Sequence, residues 1–144
     1  MKPTRTGLAS EMTVRRVAAA LLAALTAANA LAMLLAPAWW YPRAPGVTTT
    51  GPYNHHFIQD IGAAYLVTAL GLGWFAARPR AGWAALVVAA AFLMLHSLIH
   101  LVDAVQSPVC GRDLMRDAPD VFLPALIALG LAVLSIPTKG ASNA

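Results

Sequence analysis

Four apolar runs, divided by short polar or proline-rich segments, set the pattern of the chain. Residues 17–36 carry no charge, and roughly 20 residues at ~1.5 Å rise match a hydrocarbon core of about 30 Å. Similar runs cover residues 54–76, 83–105 and 118–136. Their ends carry the punctuation of membrane helices. Pro37, Trp39, Trp40, Tyr41 and Pro42 close the first run with rings that favour the headgroup level. Trp74 and Trp83 flank the next turn in the same way. Arg78-Pro79-Arg80-Ala81-Gly82 is short enough to make the second and third helices antiparallel neighbours. Asp117-Ala118-Pro119-Asp120 reads as a helix start, with an Asp cap, a proline in the first turn and a second Asp at the positive end of the dipole. Pro124 lacks a backbone donor and predicts a bend near the start of the fourth helix, which Pro137 stops. The pattern predicts an all-α fold, a four-transmembrane-helix bundle between a basic amino tail (1–16) and a disordered carboxy tail (137–144).

Composition sharpens this into an integral membrane protein. The chain is 59% hydrophobic and 11% charged, whereas a soluble domain carries about 25% charged residues, so its surface needs the lipid bilayer as a partner. Mean hydropathy is +0.66. The net charge of +4 does not indicate nucleic acid, because the basic residues sit at segment ends rather than on one face. Of the ten Lys and Arg residues, seven lie in the two tails and the 78–80 turn, against Arg43, Arg112 and Arg116 on the other side. Basic loops stay in the cytoplasm, which places both termini there, in an inner membrane of bacterial type.

A secretory signal is the competing reading of the first run, since Arg15-Arg16 precede it and Ala28-Asn29-Ala30 has the small-x-small form of a cleavage site. The run continues past that point and exceeds the roughly 7–15 residues of a signal core, which favours a retained helix. Cys110 is the only cysteine, so there is no internal disulfide and no cysteine-rich zinc site. Gly62, Gly71 and Gly73 suit close helix packing. Neither G-x-x-x-x-G-K nor G-x-G-x-x-G occurs, and nucleotide use is not indicated.

All four histidines lie where apolar runs begin or end. His55, His56 and Asp60 open the second helix, and His96, His100 and Asp103 close the third. Residues four apart share a helix face, so His56 and Asp60 form one stripe and His96, His100 and Asp103 another. Both stripes fall within roughly 7–13 Å of the same helix ends at 1.5 Å per residue. A carboxylate in a membrane helix costs about 2.5–3.5 kcal/mol at the centre and is rarely left facing lipid. The expected arrangement is an outward-facing pocket between the second and third helices in which Asp60 meets His100 or His96.

Several occupants suit such a pocket. His56, Asp60, His96, His100 and Asp103, with His55 beside them, offer donors for a transition metal such as Zn, Fe, Mn or Cu. A bis-histidine haem would use His56 with His96 or His100, although Asp60 would crowd its propionates. A quinone or other small molecule would take hydrogen bonds from a His/Asp pair. The structural alternative is a polar clamp between the two helices, in a membrane subunit, homo-oligomer or larger complex without catalysis of its own. No H-E-x-x-H or comparable catalytic motif is present.

Four short helices, the segment Gly51, Pro52, Asn54, His56, Asp60, Gly62 leading into the second, and the His96-x-x-x-His100 exit from the third resemble small bacterial membrane proteins of the DoxX-like families. The resemblance spans residues 17–136. It implies a four-helix membrane protein, in some members tied to redox or sulfur metabolism, and transfers no catalytic residue.

Overall fold

The computed structural model describes residues 5–137, with side chains from residue 10 onward; the expected carboxy tail beyond Pro137 lies outside the described residues. Every regular element among them is helical: α1 (Arg5–Leu35), α2 (Pro37–Trp40), a 3-10 turn (Val47–Thr49), α3 (His55–Ala77), α4 (Pro79–Gln106), α5 (Cys110–Asp117), a π-helical segment (Ala118–Phe122) and α6 (Leu123–Leu134). Four helical spans, Ser10–Leu35, His55–Ala77, Pro79–Gln106 and Cys110–Leu134, are long and apolar enough to cross a membrane. No more than a third of each apolar window is buried. Most of the apolar surface therefore points away from the bundle, as in Leu25, Val67, Leu70, Val88, Leu95 and Leu134.

Helix α1 packs along α3, α3 along α4, and α4 along α6, while α1 and α6 touch only lightly. The hairpin of α3 and α4 is as tight as its sequence implies. Arg78 alone separates the two helices, and Pro79 occupies the first turn of α4, where its missing N–H costs nothing. The helix thus begins four residues before the expected position. Gly82 makes the approach possible, because a Cβ there would lie 2.6 Å from the Phe75 backbone.

The core sits toward the end of the bundle where α1 begins and α6 ends. It combines Ala19, Leu22 and Ala23 of α1, Leu72 and Phe75 of α3, Leu86, Ala89, Ala90 and Leu93 of α4, and Ala125, Ala128, Leu131 and Ala132 of α6. Small side chains let the backbones approach and gain dispersion contacts that lipid cannot match. Basic and indole groups close the same end: Arg15 donates to the Leu134 carbonyl, Arg16 Nε to Ala76 O at 2.8 Å, and Trp83 Nε1 to Ala132 O at 3.0 Å. Cations and donors on last-turn carbonyls satisfy groups that have no partner within their own helix.

The segment before α6 departs from expectation. Residues 110–117 are helical rather than a loop, so Asp117 is not the cap of the fourth helix but a buried residue within a continuous helical run. The π-helical segment at 118–122 precedes α6, and Pro124 lies in the first turn of α6. Within the π-helical segment the Val121 carbonyl accepts from Ser97 Oγ of α4 at 3.2 Å, which ties this stretch to α4.

Candidate functional site

At the opposite end of the bundle lies a cavity of about 970 Å³. Its walls come from Met33 of α1, the connection from Trp40 to Asn54, the first turns of α3, the last turns of α4, and α5. Local hydrogen bonds fix this frame. Trp40 Nε1 donates to Asn29 Oδ1 at 2.8 Å, folding the chain back across α1. Asn54 caps α3 by accepting from the Phe57 amide at 3.1 Å, and Gln59 Nε2 donates to Leu34 O at 2.9 Å.

Asp117 is the polar centre of one wall. It is 4% exposed and is held from two helices. His100 Nδ1 lies 2.8 Å from its Oδ2, while Arg116 donates through Nε to Oδ1 at 2.6 Å and through Nη2 to Oδ2 at 3.1 Å. The remaining Arg116 nitrogen, Nη1, donates to Asp113 Oδ1 at 2.9 Å. A buried carboxylate needs such pairing, since an unpaired one would neutralise or unfold its surroundings. Because an ionised Asp117 only accepts, His100 donates to it through Nδ1–H. Arg116 also reaches the connection between α2 and α3. Its guanidinium lies where a Cβ of Gly46 would fall, 2.5 Å from Cζ, and Gly46 has φ +77°, so both the conformation and the contact call for glycine.

His96 lines the same cavity in an aromatic setting. Its ring stands edge-on to Tyr65 at 5.5 Å, stacks on Phe92 at 6.1 Å with an interplanar angle of 17°, and approaches His100 at 4.7 Å. It makes no hydrogen bond among the described residues. Asp103 lines the cavity as well, with its side chain exposed.

The other expected stripe lies elsewhere. His56 Nε2 and Asp60 Oδ2 are 3.4 Å apart on the outside of the bundle, with side chains 87% and 61% exposed. Asp60 therefore pairs within its own helix, and the carboxylate facing His100 is Asp117. Burial explains the rotation of α3. Ile58, Gly62, Ala69, Leu72 and Phe75 face inward, and a Cβ on Gly62 would sit 2.9 Å from Met33 Cβ, so α3 presses this side onto α1. His56, Asp60, Ala63, Val67, Leu70 and Trp74 form the exposed stripe behind it. His55, also exposed, contacts the Tyr53 hydroxyl through Nδ1 at 3.0 Å.

Among the described residues, no three His, Cys, Asp or Glu side chains are grouped to hold a metal ion within the chain. The expected ligand set of His56, Asp60, His96, His100 and Asp103 is divided between the cavity and the outer surface, and a haem joining His56 to His96 or His100 has no support in this placement. Arg116, Asp113, Asp117 and Tyr65 complete the site without having been singled out from the sequence. The spacing Asp113-x-x-Arg116 was the available signal, since residues three apart pair on a helix, but it carries that meaning only once residues 110–117 are helical.

No protein-family model matches the chain, and no curated protein or solved structure shows significant similarity to it.

Proposed function

We propose that this is a multi-pass membrane protein, with both termini in the cytoplasm, whose opposite end binds a small lipid-soluble carbonyl compound of the quinone type. The observation that carries the reading is the cavity of about 970 Å³ that presents His96, whose ring makes no hydrogen bond among the described residues, beside Phe92 and Tyr65. Ligand sites are commonly concave and mainly apolar, with few polar groups that fix orientation. Met33, Phe57, Ile58, Ile61 and Ile99 supply apolar lining here. His96 Nε2–H or Nδ1–H would donate to a ligand carbonyl.

A second reading is a polar clamp between α4 and α5, in place of the one expected between the second and third helices; it rests on the pairing of Asp117 with His100 and Arg116. The two are compatible: the clamp ties α5 to α4 and so builds the wall that His96 shares.

The test is a titration of the detergent-purified full chain with a short-chain benzoquinone, followed by native mass spectrometry. His96→Phe keeps a ring stacked on Phe92 and removes only its hydrogen bonds. A net hydrogen bond of about 1 kcal/mol corresponds to roughly fivefold weaker binding. Unsaturable uptake, or equal affinity in wild type and variant, would leave only the clamp.

A further inference from the structure

The outward stripe of α3 carries a second feature, separate from the cavity. We propose that His56 and Asp60 are one half of a Zn²⁺ site that a second copy of this chain completes, giving two imidazoles and two carboxylates around one ion at a two-fold axis.

The spacing within the pair fits an ion edge. At 3.4 Å, Nε2 and Oδ2 exceed the roughly 2.7–3.2 Å of a good N–H···O hydrogen bond. With Zn–N and Zn–O bonds of about 2.0–2.2 Å, neighbouring donors on a tetrahedron stand about 3.3 Å apart. The two side chains therefore already stand about one tetrahedral edge apart. They project from successive turns of one helix whose start is fixed by the Asn54 cap, and among the described residues neither is hydrogen-bonded or ion-paired to another element.

Among the described residues no third ligand is grouped with these two, so two further donors are left for a partner copy to supply. Two copies inserted in the same sense are related by an axis along the membrane normal, so equivalent residues stand at equal depth. Apposing the exposed stripes of two α3 helices then brings His56 beside His56 and Asp60 beside Asp60 of the partner copy. Ala63 follows on the same exposed stripe, and a small side chain there lets the backbones approach next to the ion.

Charge favours the assembly. Asp60 is the only acidic residue on an outward stripe otherwise continued by Ala63, Val67, Leu70 and Trp74. Two neutral imidazoles, two carboxylates and one divalent cation sum to zero, so the joined site removes two exposed negative charges from the edge of the bilayer. Nitrogen and oxygen donors in a tetrahedral set suit Zn²⁺ over the larger, all-oxygen ions.

The experiment titrates ZnCl₂ into chelator-washed full-length protein, with bound metal and mass in solution read in detergent. Disulfide crosslinking of Ala63→Cys on a Cys110→Ser background is read in lipid vesicles. Saturation at one ion per two chains, with Zn²⁺-dependent dimer and crosslink, is the expected result. Asp60→Asn and His56→Ala should each weaken Zn²⁺ binding at least tenfold and remove both dimer signals, whereas His96→Phe should change neither. Saturation at one ion per monomer, binding unaffected by Asp60→Asn, or loss in His96→Phe would each overturn the proposal. Failure of benzoquinone binding bears only on the cavity.

Discussion

The chain holds two histidine–carboxylate pairs of the same chemistry in opposite settings. His100 and Asp117 meet at 2.8 Å across two helices, with the carboxylate buried and Arg116 on its other side. His56 and Asp60 stand at 3.4 Å on one helix, open to the surroundings. The first pair is a consequence of tertiary structure, because its members are brought together only when α5 folds onto α4. The second is a consequence of helical spacing alone. Buried charge that is fully paired shapes a wall, whereas exposed charge that is half-paired is free to take an external partner.

The largest effect that separates the pairs is the loss of each carboxylate. Removing one member of a buried ion pair costs about 3–5 kcal/mol, because the other charges remain behind unpaired. Asp117→Ala should fall near the lower figure, since Arg116 and His100 are partly exposed and keep some solvent. Asp60→Ala should stay within about 0.5 kcal/mol, as surface changes do. Unfolding of both variants in the same detergent measures the contrast, and equal losses would erase it.

Gly46→Ala comes next. The left-handed backbone at φ +77° and the Arg116 guanidinium both oppose a methyl group there, and a non-glycine residue in that region costs roughly 1–2 kcal/mol. The variant should lower the unfolding midpoint and, by moving Arg116, weaken cavity binding too. An unchanged midpoint would mean that the connection between α2 and α3 does not rest on the buried pair.

How much of this was legible in the chain depended on the range of the interaction. The four apolar runs and the tight hairpin at Arg78 follow from local composition and backbone chemistry, and the structure contains both. The two polar stripes were also legible as stripes. Their azimuth was not, because it depends on how Gly62 seats α3 against α1. Asp117 was hidden for a related reason. An Asp followed by Ala-Pro-Asp has the chemistry of a helix cap, and only the helix formed by residues 110–117 turns it into a buried partner for His100.

A smaller effect concerns the joint between α4 and the π-helical segment. Ser97→Ala removes the donor to Val121 O, and hydrogen bonds between helices in bilayers average about 0.6 kcal/mol. The same detergent unfolding should register a loss of that order. A loss as large as that of Asp117→Ala would place the anchor of α6 at Ser97 rather than at the Asp117 network.

The smallest expected quantity is a coupling energy. If Asp60 faced His100, as spacing and depth alone suggest, removing either would change the cost of removing the other, and residues in contact couple by about 0.5–3 kcal/mol. In the structure the two share no partner, since His100 is bound to Asp117 and Asp60 to His56. A double-mutant cycle of Asp60→Asn with His100→Ala should therefore give additive losses within about 0.3–0.5 kcal/mol. The parallel cycle of His100→Ala with Asp117→Ala should depart from additivity by more than that, because the first change already removes what the second would break. Coupling in the Asp60 cycle and none in the Asp117 cycle would restore the facing geometry, and would move the exposed pair from the surface of α3 into the cavity.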